Sequence, residues 1–269
     1  ATDRNRTSPF AFTGNKFEFR MVGSSDSVAP PNVVLNTIVA EAFKEAADEL
    51  ETAEDFDAAV HDMIKELLAA HRRIIFNGNG YSDGWVKEAE TRGLPNIRSM
   101  VDAIPALVTE KAVKLYETFG VFTRAELISR AEVEYDAYGK AVNIEARTMI
   151  DMAGKQIIPA VIRYTTQLAQ SIGAIRTACP DGMMDVSVQT ELLAETSALL
   201  SDMKRALASL EDLTAECGSI EDACTRAHGY HDKVVPAMEA LRAPADRLEM
   251  IVDKELWPFP SYGDLIFEV

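Results

Sequence analysis

Alternation of apolar and charged residues, the pattern of a half-buried β-strand, is confined to the first thirty residues of this chain. Residues 16–21 read Lys-Phe-Glu-Phe-Arg-Met, and Phe10 and Phe12 form a second alternating piece before the turn residues 13–15. The pattern predicts one β-hairpin at most, and a lone hairpin is marginal in water. We therefore expect its partner strands to lie outside this chain, which would begin in the middle of a domain. In the predicted strand, Phe17, Phe19 and Met21 face a core. Lys16, Glu18 and Arg20 face the opposite side.

Beyond residue 32 the apolar residues follow helical spacing instead. The pair Pro30-Pro31 predicts that the first helix begins only after it. Thr123, with Glu126 three residues on, has the spacing of a capping box and opens a long helical pattern. Pro159 should kink or split that helix near residues 156–157. The predicted helices cover residues 33–50, 58–73, 83–92, 109–119 and 123–178.

A heptad pattern of apolar residues dominates the C-terminal third of the chain. Apolar residues that recur at alternating intervals of four and three residues are typical of a helix that packs along one side against another helix. Together with a turn at Gly218-Ser219, this pattern predicts a long helical hairpin over residues 191–241. Residues 257–264 are predicted to lie extended over a surface. The predicted fold class is therefore mainly α, a multi-helix bundle with a long helical hairpin, preceded by a short β-hairpin. The heptad residues are Leu192, Thr196, Leu199, Met203, Ala206, Leu210 and Leu213.

Charge and composition exclude several classes of function. The 269 residues include 43 acidic and 27 basic side chains, a formal charge of −16, whereas nucleic-acid binding needs clustered Lys and Arg. The sequence holds no apolar run of about 18 residues, and because its first residues lack an apolar segment we do not expect them to act as a signal peptide. Three cysteines leave one unpaired in any disulfide scheme, which is typical of a reducing compartment. We expect a cytoplasmic protein with no nucleic-acid and no membrane partner.

Two sets of residues could carry chemistry. On the strand, Glu18 lies between two cations, an arrangement that can ligate a hard metal while the cations hold phosphate or carboxylate groups. The simpler interpretation is an edge strand whose charges are solvated. Cys224, His228 and His231 share one helix face and could bind zinc, but such a triplet is more often a packed cysteine beside surface imidazoles.

The N-terminal residues also carry a resemblance to a known family. Residues 3–9 read Asp-Arg-Asn-Arg-Thr-Ser-Pro, and residues 15–20 read Asn-Lys-Phe-Glu-Phe-Arg. Together they resemble the final active-site strands of glutamine synthetases, whose general pattern is R-N-R-[ST] followed by [KR]-x-E-x-R. Four later segments resemble the long C-terminal extension of the type III branch, namely residues 76–82, 119–123, 156–160 and 256–258.

The resemblance implies an ATP-dependent glutamate–ammonia ligase that makes glutamine through γ-glutamyl phosphate and uses Mg²⁺ or Mn²⁺. By position in the motif, Glu18 corresponds to a metal ligand near the ATP phosphates and Arg20 to the arginine that holds the glutamate carboxylate. Arg6 corresponds to a catalytic arginine that stabilises the transferring phosphoryl group, and Arg6 and Lys16 would contact the ATP phosphates. Lys16 stands where many relatives have arginine, and Ala11 replaces a further expected arginine. The resemblance therefore implies a phosphate clamp arranged differently from that of the shorter types.

The resemblance also divides the chain and implies its partners. Residues 1–72 would be a remnant of the α+β catalytic domain, with strands in 1–22 and helices in 33–72, and residues 73–269 the helical type III C-terminal domain. The partners would be the remainder of the catalytic domain and the other subunits of a ring-type homo-oligomer. We expect the isolated chain to be inactive and to bind no cofactor, with its helical domain serving oligomer contact or regulation. The alternative is a non-catalytic helical scaffold or protein-interaction module that keeps the strand motif without its chemistry.

Overall fold

The computed structural model describes residues 8, 10–13, 16–20, 27–180 and 183–267. These residues are mainly α-helical, which confirms the predicted fold class. The chain forms two compact units, residues 1–129 and 130–269. The expected domain boundary after residue 72 remains a prediction, because a compact unit of the fold need not coincide with a domain of the family.

The first unit contains a two-stranded antiparallel hairpin and a set of helices. Its strands are β1, Phe10–Phe12, and β2, Phe17–Phe19. The helices are α1 (Ala29–Leu50), α2 (Phe56–Ala70), α3 (Asp83–Thr91), α4 (Met100–Ala103) and α5 (Glu110–Thr118), with 3-10 turns at Arg72–Ile74 and Ile104–Val108.

Polar side chains determine where several of these helices begin. Asp55 accepts a hydrogen bond from the backbone N–H of Ala58, so α2 starts after the predicted break. Helix α1 begins at Ala29, which corrects the expectation that the prolines block an earlier start. A proline in the first helical turn is tolerated because its missing N–H would have no partner within the helix.

The buried core of the first unit lies where α5 is followed by the start of the next helix. Val113, Tyr116 and Leu127 are buried there, and Val33 of α1 packs against them. Gly120 makes the turn between the two helices with φ +62°, a backbone conformation that favours glycine. The turn therefore brings apolar residues of successive helices onto α1.

The helix that follows, α6 (Arg124–Met152), begins at the predicted capping box. The Thr123 backbone N–H donates to Glu126 Oε2 at 2.8 Å, and the Glu126 N–H donates to Thr123 Oγ1 at 3.3 Å. A π-helical turn, Ala153–Ile157, then leads into α7 (Ile158–Ala178), with Pro159 in its first turn. The predicted interruption by Pro159 is confirmed, because proline lacks the N–H that would continue the regular ladder.

The second unit is built around the predicted helical hairpin. Its first arm is α8 (Ser187–Gly218), and its second arm comprises α9 (Ala223–Gly229), a π-helical turn (Tyr230–Val234) and α10 (Val235–Glu249). From Leu199 to Leu213 the heptad positions of α8 face this core, and the core also includes residues of α6 and α7. Its fully buried side chains include Met203, Leu210, Cys217, Val234 and Leu248.

The C-terminal tail packs on the same core and ends in a short helix. Trp257 and Phe259 contact the core, as expected for an aromatic segment lying over a surface. However, Tyr262–Phe267 forms helix α11, so the expectation of an extended tail through residue 264 is wrong at its end. A second capping box explains the difference, because the Ser261 N–H donates to Asp264 Oδ2 at 2.8 Å and the Asp264 N–H to Ser261 Oγ at 3.3 Å.

The two faces of the β-hairpin are reversed relative to the prediction. Phe17 and Phe19, expected in a core, are 62% and 41% exposed, while Met21 lies outside the described residues. They share this face with Phe10 and Phe12, and Phe10 stacks on Phe17 at 5.1 Å between ring centroids. Within the described residues the two strands pair only with each other, so the aromatic face meets solvent.

Candidate functional site

The candidate site is the polar face of the β-hairpin. Strands β1 and β2 pair antiparallel, with Ala11 opposite Glu18. The turn between them is closed by Thr13, whose backbone N–H donates to the Lys16 carbonyl at 2.9 Å. Because side chains alternate along a strand, Glu18 and Ala11 lie on the face opposite the phenylalanines.

An ion pair between Glu18 and Arg20 occupies the centre of this face. Arg20 donates to Glu18 Oε2 through Nη2 at 2.9 Å and through Nε at 3.2 Å. Its Nη1 donates to the Ser8 carbonyl at 3.3 Å. The two side chains are only 22% and 23% exposed, so the pair is more shielded from water than an ordinary surface pair. These contacts hold the Arg20 guanidinium between Glu18 of β2 and the backbone of Ser8, two residues before β1.

The described residues bring together only part of the predicted set. Glu18 and Arg20 are in contact, whereas Lys16 is exposed at the edge of the turn. Arg6 lies outside the described residues. Ala11, which stands where the resemblance expects an arginine, is completely buried. The polar face therefore offers one carboxylate and one guanidinium in a fixed geometry.

This face does not form a complete metal site by itself. Mg²⁺ takes about six oxygen ligands, and Glu18 supplies one carboxylate. Within the ranges that the structure describes, there is no group of three or more His, Cys, Asp or Glu side chains that could hold a metal ion. Among the described residues the polar face therefore offers one carboxylate, that of Glu18, which is fewer oxygen ligands than Mg²⁺ takes.

The zinc hypothesis for the helical hairpin finds no support in the geometry. His228 Nδ1 lies 2.9 Å from the Cys224 carbonyl oxygen and 3.7 Å from Cys224 Sγ. The third residue, His231, pairs with Asp232 instead, at 2.7 Å. The described polar contacts of these imidazoles are with neighbouring residues of the same arm of the hairpin. Each ring also lies beside a tyrosine of α6, Tyr135 at 6.0 Å from His228 and Tyr138 at 6.4 Å from His231 between ring centroids. These contacts match the simpler interpretation given above.

Sequence reasoning missed an apolar surface on α2. Four large side chains on one side of this helix are exposed, although they have the spacing of a buried helix face. The signal was present in the sequence as an amphipathic pattern, but the pattern alone does not say whether the face is covered. We call these residues the α2 apolar strip: Phe56, Ile64, Leu67 and Leu68.

The described helices are too short or too polar to span a membrane. None combines the length and the apolar character that crossing a bilayer requires.

Comparison with known proteins gives a consistent family relationship. Residues 59–176 match the family model described as glutamine synthetase C-terminal domain. Along 99% of its length the chain is 35% identical to a type-3 glutamine synthetase of Dictyostelium discoideum, covering 37% of that protein. It is 34% identical to glutamine synthetases of Butyrivibrio fibrisolvens and Bacteroides fragilis, of which it covers 38% and 37%.

The matches include nearly all of this chain but only part of each relative. The chain spans little more than a third of the length of these relatives. The resemblance inferred from the N-terminal motif and the later segments is thereby confirmed. Nearly the whole chain is thus similar to a C-terminal portion of glutamine synthetases, and residues 59–176 match the C-terminal domain of that family.

Proposed function

We propose that this chain is the C-terminal part of an ATP-dependent glutamate–ammonia ligase that makes glutamine through γ-glutamyl phosphate. The observation that carries the proposal is similarity along the whole chain to proteins named glutamine synthetase in three organisms. The ligase would act in the cytoplasm on glutamate, ammonia and ATP.

The hairpin residues would each have a separate task in this ligase. Glu18 would provide one ligand to Mg²⁺ or Mn²⁺, which when bound neutralises charge on the ATP phosphates. Arg20 would hold the glutamate carboxylate through paired N–H donors. Arg6 and Lys16 would contact ATP phosphates, and Arg6 would also stabilise the transferring phosphoryl group. The pair of Glu18 and Arg20 supports these roles by placing a carboxylate and a guanidinium on one face, and the pair would have to open for Arg20 to donate to glutamate and Glu18 to bind the metal.

The isolated chain would be inactive because its polar face is incomplete. The described residues hold no group of three or more side chains that could bind a metal ion, and the two-stranded sheet exposes an aromatic face. In the full enzyme, further strands and the other metal ligands would come from the rest of the catalytic domain. Burial of the phenylalanines against that domain would stabilise the hairpin.

The helical part would serve as an oligomer contact or a regulatory element within a ring-type homo-oligomer. The exposed α2 apolar strip lies within residues 33–72, before the predicted helical domain, and supports a contact role for those helices, because exposed apolar patches of this kind mark interaction surfaces. The same surface is what a helical scaffold without catalysis would use, so exposure of the strip does not separate the two functions.

Variant kinetics test the roles of the hairpin residues. In a chimera, this chain replaces the matched segment of the Bacteroides fragilis relative, and glutamate-dependent phosphate release is measured. We expect Arg20→Lys to raise the KM for glutamate, because lysine cannot reproduce the paired donors of arginine. We expect Glu18→Gln to raise the Mg²⁺ concentration needed for half-maximal rate.

The control is Glu54→Gln, which removes a carboxylate that is exposed before α2. It should leave both parameters unchanged. Equal kinetics for the Glu18, Arg20 and Glu54 variants would show that the hairpin charges take no part in catalysis and would favour the scaffold function.

A further inference from the structure

An open cavity in the first unit lies where the segment after α2 meets the end of α3. Its volume is about 580 Å³, within the range of about 300–1,000 Å³ that is usual for small-molecule sites. Its described lining holds three arginines and no carboxylate, although acidic residues outnumber basic ones by 43 to 27 in the whole chain. We call it the arginine cavity, and it is lined by Arg72, Arg73, Ile75, Asn77 and Arg92.

Arg92 holds the two sides of the arginine cavity together. Its Nη1 donates to the Arg73 carbonyl at 3.1 Å and to the Ile75 carbonyl at 2.9 Å, while its Nη2 pairs with Glu88. The guanidinium carbon also lies over the Trp85 ring, 5.2 Å from the ring centroid. These contacts tie the segment after α2 to α3, so the backbone wall of the cavity is fixed without a ligand.

Arg72 and Arg73 bring positive charge that no described side chain neutralises. Both lie in the 3-10 turn that follows α2, and both are exposed. The ion pairs among the described residues include Arg92 with Glu88, whereas none involves Arg72 or Arg73. Each guanidinium carries five N–H donors on a long, flexible stem. Both side chains can therefore turn onto an anion that enters the cavity.

The donors of the cavity match the oxygens of phosphate groups. A guanidinium is a planar fork that donates two N–H bonds to one phosphate group, a geometry that lysine cannot reproduce. Two like charges on adjacent residues repel each other, and an anion with two or more charges relieves that repulsion. Two linked phosphate groups offer one acceptor group to each fork, and the Asn77 side chain adds an amide at the same wall.

We propose that the arginine cavity is a binding site for a small molecule that carries a diphosphate group, which Arg72 and Arg73 hold through paired N–H donors. Arg92 is a positioning residue, since its described hydrogen bonds go to the backbone of the cavity wall and to Glu88. The site uses none of the hairpin residues, so it is independent of the proposed ligase activity.

The test uses the whole 269-residue chain with inorganic diphosphate as the probe, in EDTA so that no divalent metal contributes. The chain has two tryptophans, and Trp257→Phe leaves Trp85, beside Arg92, as the only one. We expect diphosphate to change the Trp85 emission in a saturable way, with one molecule bound per chain by calorimetry. Potassium chloride at equal ionic strength should not change the emission, and inorganic phosphate should bind more weakly because it engages one fork.

Matched variants separate the cavity from general attraction to positive charge. Each of Arg72→Gln and Arg73→Gln should weaken diphosphate binding about tenfold, the effect of losing a charge-assisted hydrogen bond. Arg98→Gln removes the same charge from an exposed position of the first unit that does not line the cavity, and it should leave the affinity unchanged.

Replacing both arginines by lysine tests the fork geometry. Arg72→Lys with Arg73→Lys keeps the charge and removes the paired donors, so it should also weaken binding. All these side chains are exposed, and far-UV circular dichroism checks that the variants keep the helical fold.

Three results would overturn the proposal. The first is the absence of saturable diphosphate binding by the parent chain. The second is an equal loss of affinity in the Arg72, Arg73 and Arg98 variants, which would indicate diffuse attraction to surface charge. The third is undiminished binding by the double lysine variant, or binding of inorganic phosphate as tight as that of diphosphate.

Discussion

Gly229 provides a sharp test of how α9 packs against α8. Its backbone is helical, with φ −58° and ψ −44°, and replacing a helical glycine by alanine normally stabilises a protein by about 0.8–1 kcal/mol. Here a Cβ atom would stand 3.0 Å from Cys217 Sγ and 3.5 Å from Ile220 Cδ1. Cys217 is completely buried, and inserting a group into a packed core costs about 1–3 kcal/mol. We therefore expect Gly229→Ala to lower the free energy of unfolding by about 0–2 kcal/mol.

Gly173 of α7 is the matched control. No atom lies within 4 Å of a Cβ built at this position, so Gly173→Ala should raise the free energy of unfolding by about 0.8–1 kcal/mol. Both glycines belong to the second unit. Urea denaturation followed by Trp257 fluorescence, in a Trp85→Phe background, reports on that unit alone because Trp257 packs on its core.

A double-mutant cycle isolates the contact itself. Cys217→Ala removes the sulfur and should lower the free energy of unfolding by about 1 kcal/mol, as expected for deletion of one buried group. In the double variant the new Cβ at position 229 occupies part of the vacated space. The two changes should therefore compensate, with a coupling free energy of about 1–2 kcal/mol. This packing would be refuted if Gly229→Ala stabilised the chain as much as Gly173→Ala does. It would also be refuted if the effects of Gly229→Ala and Cys217→Ala on the free energy of unfolding added to within about 0.5 kcal/mol.

Three further predictions concern charge, thiol burial and capping. Hydrogen bonds from Lys254 and then from the Ser261 hydroxyl and N–H lower the pKa of Asp264 from 3.8 to about 2. The folded pKa lies below the unfolded value, so this stabilisation is complete above pH 3.8 and is lost as the pH falls towards about 2. The difference in unfolding midpoint between the parent chain and Asp264→Asn should shrink across that range, and a constant difference would contradict the assignment. Burial raises the pKa of the Cys217 thiol, so Ellman's reagent should modify the two other, partly exposed cysteines in the native chain and Cys217 only after unfolding. Modification of all three at the same rate would show that the thiol is accessible. Thr123→Ala removes one side of the capping box and should destabilise the first unit by about 1 kcal/mol, measured by Trp85 fluorescence in a Trp257→Phe background. An effect no larger than that of Ser129→Ala, at an exposed position of α6, would argue against the cap.

Features that depend on neighbouring residues in the chain could be predicted from the sequence. The heptad seam of α8, the capping box at Thr123 and the interruption at Pro159 are all local, because helical periodicity and the missing proline N–H act within a few residues. Helix α11 was missed for a local reason too. The prolines at 258 and 260 predicted an extended tail, whereas the Ser261–Asp264 capping box starts a helix directly after them.

Features that depend on tertiary contacts could not be predicted in this way. Alternation in residues 16–21 correctly separated the two faces of β2, but which face is buried depends on what packs against the hairpin. The spacing of Glu18 and Arg20 placed them on one face without showing that they pair. The α2 apolar strip and the arginine cavity likewise result from how whole helices pack.

The most direct test of the central claim compares the turnover of the isolated chain with that of the chimera carrying it in the Bacteroides fragilis relative. The measurement is phosphate release that requires glutamate, ammonia, ATP and Mg²⁺ together. Our account predicts turnover by the chimera and none by the isolated chain, since the hairpin supplies only part of the site. Turnover by the isolated chain, or a folded chimera without turnover, would contradict the claim that this chain is one functional part of a glutamine synthetase.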